Sequence, residues 1–264
     1  MVSPTLRRFS PALTAAFAVA GLALAAPVHL VPPSSPVENQ PVLVELFTSE
    51  GCSDCPPADA LLARLQATQF VPGAHAIVLS EHVTYWNHEG WRDPFSSDAL
   101  TDRQSRYAHQ FSLDEVYTPQ MVVDGAEQFV GSDSAKLTNA VAQAAGIPKQ
   151  EIAITDAHWV SGNVQFSVHA PADTHATLFS ALAENATVSE VRKGENAGRI
   201  LHHVAVVREI KEFDSKAVDG RPLTLSASGS LNARDNHDPS HLVVFLVDHK
   251  TGHVVAVTEQ TLNR

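Results

Sequence analysis

Cysteine is almost absent from this chain, since only Cys52 and Cys55 occur among 264 residues, both within TSEGCSDCPP. So few cysteines exclude a disulfide-stapled scaffold, and a chain of this length can bury a core without such staples. A bridge across two intervening residues removes little loop entropy and therefore adds little stability. The pair is therefore interpreted as chemical and not structural.

Basic residues are also scarce, with 18 Lys and Arg against 29 Asp and Glu and a formal net charge of -11. Binding to nucleic-acid phosphates needs a basic face, so this composition argues against a nucleic-acid partner. Histidine is plentiful, with 14 residues, but it is scattered apart from His202-His203. The sequence therefore contains no His-rich metal-binding tract.

Long apolar runs are limited to the N-terminus, where two arginines precede ALTAAFAVAGLALA. The final ALA of this run is a small-x-small cleavage site. The pattern predicts a signal peptide over residues 1–25, with an uncleaved N-terminal anchor as the alternative. We expect a flexible Pro- and Ser-rich lead-in over residues 26–40, no stable membrane insertion after cleavage, and a periplasmic or secreted location.

Hydrophobic periodicity divides the remaining chain into two halves. Residues 41–147 predict the order β-α-β-α-β-β-α, which is typical of an α/β layer fold. Residues 148–264 contain seven strand-like runs separated by turn residues, without a strong helix. They predict an all-β antiparallel sandwich domain, with the domain boundary near residue 148.

The CxxC pair lies between a predicted strand and a helix that begins at Pro56. A helix N-terminus presents unpaired N–H groups and positive dipole character, which stabilise the thiolate that performs disulfide exchange. In such motifs the first cysteine is exposed and attacks, so we assign this role to Cys52 and the resolving role to Cys55. The charge of Asp54 disfavours the thiolate and predicts a modest oxidant.

Two residues outside the motif are candidates for the same site. Thr118-Pro119 enters a strand after a turn and could be a cis peptide bond that leaves the Thr118 backbone free to bind a substrate strand. An ordinary trans proline at a strand start is the alternative. Glu45 lies inside an apolar strand, so it is either a buried proton acceptor for Cys55 or an acid that reaches solvent or a salt bridge.

An aromatic-rich loop follows the second predicted strand. Tyr85, Trp86 and Trp91 predict either a platform that binds a partner or a loop stapled by its own aromatic side chains. On the first interpretation Tyr85 and Trp86 contact the substrate. In His202-His203, the alternation of a strand predicts that one side chain faces inward and the other outward, which does not suit joint metal chelation.

A metal site is the main rival to redox chemistry. Two thiolates three residues apart can bind a soft metal such as copper. His82 follows the second predicted strand at the same sheet end, so Cys52, Cys55 and His82 are the candidate ligands. The alternative for His82 is a histidine that is hydrogen-bonded to its neighbours.

Several segments, in order, resemble a family of secreted bacterial proteins catalogued as domain of unknown function 1223 and classed as thioredoxin-like. These segments are VELFTSEGCSDCPPADALL, HVTYWNHEGWRDPF, RQSRYAHQF, VYTPQMVVDG and VGSD. The resemblance spans about residues 41–262 and implies a thioredoxin fold in its shorter arrangement. It implies that Cys52 is the nucleophile, Cys55 the resolving cysteine and Pro119 the cis proline, with Glu45 comparable to the buried acid.

The chain departs from the thioredoxin pattern at the motif itself. Gly51 replaces the aromatic residue that usually precedes the first cysteine, and Ser-Asp replaces the usual residues between the cysteines. We expect an exported thiol–disulfide oxidoreductase that acts on protein or small-molecule thiols and needs no cofactor. The alternatives are a periplasmic copper-binding protein and a non-catalytic thioredoxin-like binding module.

Overall fold

The computed structural model describes Met1 and residues 39–170, 175–214, 222–226 and 240–263. The predicted signal peptide, apart from Met1, and residues 26–38 of the predicted lead-in lie outside the described residues. Within the described ranges, no helix is long and apolar enough to cross a membrane.

The first half alternates strands and helices in the predicted order. Its elements are β1 (Gln40–Thr48), α1 (Pro56–Thr68), β2 (Ala74–His82), a 3₁₀ turn (Tyr85–His88), α2 (Asp98–Gln110), β3 (Gln120–Val123), β4 (Glu127–Val130) and α3 (Ser134–Ala145). The predicted signals mark the boundaries: the Asp133 carboxylate accepts a hydrogen bond from the Lys136 N–H and caps α3. Asp124 and Gly125 both have positive φ and form the β3–β4 turn.

The second half is made of strands. The seven strand-like runs form β5 (Ala153–Val160), β6 (Asn163–His169), β7 (Ala176–Glu190), β8 (Ile200–Asp214), β9 (Pro222–Ser226), β10 (Ser240–Asp248) and β11 (Val254–Leu262). β7, β8, β10 and β11 are joined by antiparallel pairing in the order β11-β10-β7-β8. β5, β6 and β9 form a separate three-stranded antiparallel sheet.

One large sheet runs through both halves of the described chain. Its eight strands have the order β11-β10-β7-β8-β2-β1-β3-β4, and β8 joins β2 in parallel where Ser80 is opposite Val206. β6 of the small sheet packs against β7, β10 and β11 through an apolar cluster that includes Phe166, Leu178 and Leu246. The protein therefore has a mixed α/β fold with a large sheet and few helices. This sheet contains strands from both sides of the predicted domain boundary near residue 148.

Helices cover both faces of the sheet at β1. The Thr48 hydroxyl donates to Asp59 of α1 at 2.9 Å, whereas Glu45 accepts from Arg103 of α2 at 2.5 Å. Successive side chains of a strand point to opposite faces, so Thr48 and Glu45 belong to different faces. The face toward α1 is the one that carries the cysteine turn.

Candidate functional site

The cysteine turn connects β1 to α1. Cys52 and Cys55 form a disulfide, and Cys55 is the N-cap residue of α1, directly before Pro56. Cys52 is 1% exposed and Cys55 is 0% exposed. The expectation that Cys52 is exposed is therefore wrong for this conformation, in which a loop contributed by the second half lies against the turn.

This cover loop, residues 191–199, joins β7 to β8 and lies on the cysteine turn. The buried Asn196 side-chain amide donates to the Glu50 carbonyl at 2.9 Å and to the Cys52 carbonyl at 2.8 Å. The Glu195 carboxylate accepts from the Ser53 N–H at 3.0 Å. The loop thus occupies backbone groups of the turn on both sides of the buried Cys52.

The peptide bond between Thr118 and Pro119 is cis. The Trp86 indole N–H donates to the Thr118 hydroxyl at 2.6 Å, and a Cβ at Gly51 would lie only 3.1 Å from the Trp86 Cβ. Trp86 therefore links the proline loop to the residue before Cys52. Any side chain at position 51 would therefore be in tight contact with Trp86.

The other aromatic residues of the loop are tied to polar partners. The Tyr85 hydroxyl donates to Gln104 of α2 at 3.2 Å, and burial raises the pKa of Tyr85 to about 12. The Trp91 indole N–H donates to the Glu50 carboxylate at 2.8 Å. Tyr85, Trp86 and Trp91 are half-buried, and these hydrogen bonds hold the loop in place. A substrate role for Tyr85 and Trp86 stays a prediction.

Glu45 makes the salt bridge that was the alternative to proton transfer. Its carboxylate is buried and accepts from the Arg103 guanidinium and from the Tyr107 hydroxyl, each at 2.5 Å. Both donors belong to α2, on the sheet face opposite α1 and Cys55. The geometry therefore favours the ion-pair interpretation of Glu45 over a proton acceptor for Cys55.

Beneath the cysteine turn lies a buried polar cluster, which consists of Glu50, Asp59, His82, Asp93 and His203. The His82 Nδ1 lies 2.7 Å from the Asp93 carboxylate. Burial is the largest single effect and lowers the pKa of His82, but the charge and hydrogen bond of Asp93, together with the charges of Asp59 and Glu50, raise that pKa overall. The same pair lowers the pKa of Asp93 against the raising effect of its burial, so His82 and Asp93 form a buried ion pair.

His203 of β8 connects the remaining members of the cluster. Its Nε2 lies 3.3 Å from the Glu50 carboxylate, and its Nδ1 lies 3.7 Å from the Asp59 carboxylate. Its ring also meets the His82 ring edge to face, with the centroids 4.7 Å apart. Carboxylates from the turn and from α1 are thus joined through a histidine of the second half.

The candidate metal ligands Cys52, Cys55 and His82 do not form a metal site in this conformation. The two cysteines are oxidised to the disulfide, and His82 is hydrogen-bonded to Asp93. Among the described residues, no group of three or more His, Cys, Asp or Glu side chains is arranged to hold a metal ion. As predicted for adjacent strand residues, His203 is buried and His202 is exposed.

The sequence interpretation did not assign Asn196, Asp59, Asp93 or His203 to the site. Asp59 was detectable, because it follows Cys55 by four residues on a helix and so shares its face. The inward-facing residue of His202-His203 was a second signal. No sequence signal pointed to Asn196, since its hydrogen-bond partners lie 144 and 146 positions away in the sequence.

Comparison with known proteins identifies a family but no activity. The model of the family described as "Protein of unknown function (DUF1223)" matches residues 43–247. The crystal structure of a protein from Agrobacterium tumefaciens is similar at 23% identity, with a TM-score of 0.61, over 86% of this chain and 95% of that one. At this identity the similarity shows the fold alone.

A weaker similarity links the chain to a domain of the outer membrane lipoprotein Omp28 from Porphyromonas gingivalis. It has 17% identity and a TM-score of 0.28, and it covers 44% of this chain and 90% of that one. This TM-score is too low to support any argument about fold or location. A search of curated proteins found no match.

Proposed function

This chain belongs to the DUF1223 family of proteins of unknown function, and we propose that it is an exported thiol–disulfide oxidoreductase. In this proposal residues 41–147 form a thioredoxin-like domain, followed by a β-sandwich over residues 148–264. The observation that carries it is the disulfide at the head of α1, with the Thr118–Pro119 loop tied to the same turn through Trp86. The proposed location is the periplasm or the outside of the cell.

The proposed reaction uses the two cysteines in sequence. In the reduced protein the Cys52 thiolate attacks a substrate disulfide, forms a mixed disulfide and releases one substrate thiol. The Cys55 thiolate then attacks the Cys52 sulfur, releases the second substrate thiol and closes the Cys52–Cys55 bond. The substrate gains two electrons and the protein loses two, and the reverse sequence oxidises a substrate dithiol.

Access to the disulfide requires the cover loop to move. An attacking sulfur must approach along the S–S axis, and both sulfurs belong to buried residues. Asn196 and Glu195 bind three backbone groups of the turn, and an extended substrate chain would compete for the same groups. We therefore expect the substrate or its carrier protein to displace the cover loop.

A mixed-disulfide experiment tests the assignment of the two cysteines. The purified mature Cys55→Ser variant, incubated with glutathione disulfide, should accumulate one glutathione on Cys52, because the resolving thiol is missing. Cys52→Ser is the matched control and should accumulate less adduct, because the cover loop binds the backbone at Cys52 and Ser53, so its displacement uncovers Cys52 before Cys55. Intact mass spectrometry reads out both variants, and failure of Cys55→Ser to form the adduct would contradict the proposed mechanism.

A non-catalytic binding module is the second candidate, and the burial of both cysteines favours it. A disulfide that is permanently covered would act as a local staple of the turn, without exchange. The two candidates differ in the reduction potential of the pair, because structural disulfides resist reduction and working ones do not.

A further inference from the structure

One residue of the buried polar cluster, Asp59, lies on the same helix face as the resolving cysteine. Cys55 has helical dihedral angles as the N-cap of α1, and its carbonyl accepts from the Asp59 N–H at 3.1 Å. Residues four apart on a helix are neighbours on one face, so the Asp59 carboxyl lies on the same face as the Cys55 side chain. Both residues are buried, so a proton that moves between them does not have to come from bulk water.

Asp59 is held in a form suited to carry a proton. One carboxyl oxygen accepts from the Thr48 hydroxyl at 2.9 Å, and the other lies 3.7 Å from the His203 Nδ1. Burial raises the pKa of Asp59, and the neighbouring His203 offsets only part of this effect. Asp59 therefore keeps its proton to a higher pH than an exposed aspartate does.

His203 extends the cluster away from Asp59. Its Nε2 lies 3.3 Å from the Glu50 Oε1, yet neither ring nitrogen of His203 nor this Glu50 oxygen makes a hydrogen bond within the described part of the chain. Buried polar atoms without a hydrogen-bond partner are costly and few in folded proteins, so each needs an explanation. These atoms can take up or release a proton without breaking an existing hydrogen bond.

Charged groups from several elements surround His203. Glu50 faces it from the turn after β1, Asp59 from α1 and His82 from the end of β2. His82 is in turn paired with Asp93. The Arg208 guanidinium lies 5.2 Å from the ring centroid of Phe95, and that centroid is 5.9 Å from that of His203.

We propose that Asp59 and His203 form a proton relay for the cysteine pair, in which Asp59 exchanges a proton with the Cys55 sulfur and His203 of the second half restores it. The proposal rests on the proposed function and deepens it. During reduction, an incoming thiolate attacks the Cys52 sulfur and the S–S bond breaks, with its electron pair leaving on Cys55. The Cys55 thiolate takes the Asp59 proton, and Asp59 recovers one from the His203 imidazolium. A second donor thiolate then attacks the donor sulfur of the mixed disulfide, forms the donor disulfide and releases the Cys52 thiolate.

The test is the pH dependence of the reduction of the disulfide by dithiothreitol in the full mature chain. We expect His203→Gln to slow reduction about tenfold or more at the acid end of a series from pH 5 to pH 8 and to approach the wild-type rate at the alkaline end, because a relay delivers a proton only while its histidine carries one. Asp59→Asn should show the same trend. His202→Gln is the matched control, because His202 is the exposed neighbour on β8, and its rate ratio to wild type should stay at one.

A ratio between His203→Gln and wild type that is constant at all pH values would overturn the relay, since a purely structural effect has no such pH profile. A second measurement needs no variant: the imidazole resonances of the wild-type protein are titrated by NMR in the oxidised and reduced states. The His203 resonance is the one that decides: if the measured pKa of His203 is the same in both states, the proposal is overturned. If wild-type disulfide cannot be reduced and re-formed reversibly, the proposed function itself fails, which is a different result.

Discussion

At the scale of single residues, two buried carboxyl groups on β1 and β2 face one buried cation on α2. Glu45 and Glu81 both face Arg103, whose Nε lies 2.5 Å from the first and 3.6 Å from the second. Arg103 satisfies Glu45, but the Glu81 oxygens receive no hydrogen bond from the described residues. Burial, followed by the Glu45 charge, raises the pKa of Glu81 well above its usual value. Glu81 therefore keeps its proton at pH values where an exposed glutamate is ionised.

This proton makes a testable contribution to the pH dependence of stability. The folded state holds the Glu81 proton after the unfolded state has lost it near pH 4.5, so the free energy of unfolding falls as pH rises from there toward the folded pKa. The slope for this single group is at most about 1.4 kcal/mol per pH unit. Glu81→Gln removes the titrating carboxyl group and with it this pH dependence. The free energy of unfolding of the variant, relative to wild type, should therefore increase from about pH 4.5 to pH 7.

Urea unfolding of both proteins at several pH values measures this difference. Glu212→Gln provides the control, because Glu212 is exposed in its ion pair with Arg106, and its difference from wild type should stay flat. A difference between Glu81→Gln and wild type that does not change with pH would show that Glu81 is ionised in the folded protein.

At the scale of elements, the cover loop depends on one residue more than on any other. Asn196 donates two hydrogen bonds to the cysteine turn, and the Arg199 guanidinium donates to the Asn196 carbonyl oxygen at 2.8 Å and fixes its orientation. Gly194 has φ +78°, and a Cβ there would lie 3.0 Å from the Glu89 carbonyl oxygen. The loop therefore contacts both the cysteine turn and the aromatic loop.

Removing the Asn196 amide should release the cover loop. Two hydrogen bonds contribute about 1 kcal/mol each, so Asn196→Ala should raise the open population and the rate of disulfide reduction by dithiothreitol roughly tenfold or more. The rate is followed by alkylation of the thiols formed. Lys193→Ala, an exposed position in the same loop, should react like wild type. Equal rates for Asn196→Ala and wild type would mean that the loop does not limit access.

The elements themselves could be predicted from the sequence, because their signals are local. Pro56, Asp133 and Asp124-Gly125 marked helix starts and a hairpin through short-range chemistry that operates within a few residues. The same local signals could not place Asn196 or His203 beside the cysteines, since that depends on strand pairing between distant segments. For Glu45, the period of the strand left two faces open, and only the position of the helices decides between them.

At the scale of the whole molecule, the second half completes the environment of the cysteine pair. β8 extends the sheet beside β2, and this pairing brings His203 and the cover loop to the end of β1 where the cysteines lie. The sequence predicted the strands of this half but gave no reason for their presence. The proposals give one: these strands carry His203 of the proposed relay and the cover loop.

The reduction potential of the Cys52–Cys55 pair tests the central claim most directly. The purified mature protein would be equilibrated with glutathione or dithiothreitol buffers, and the oxidised fraction measured by alkylation and mass spectrometry. The proposed oxidoreductase predicts a reversible pair with a potential between about -120 and -270 mV. A potential below about -300 mV, or a pair that does not re-form after reduction, would contradict it and identify the disulfide as structural.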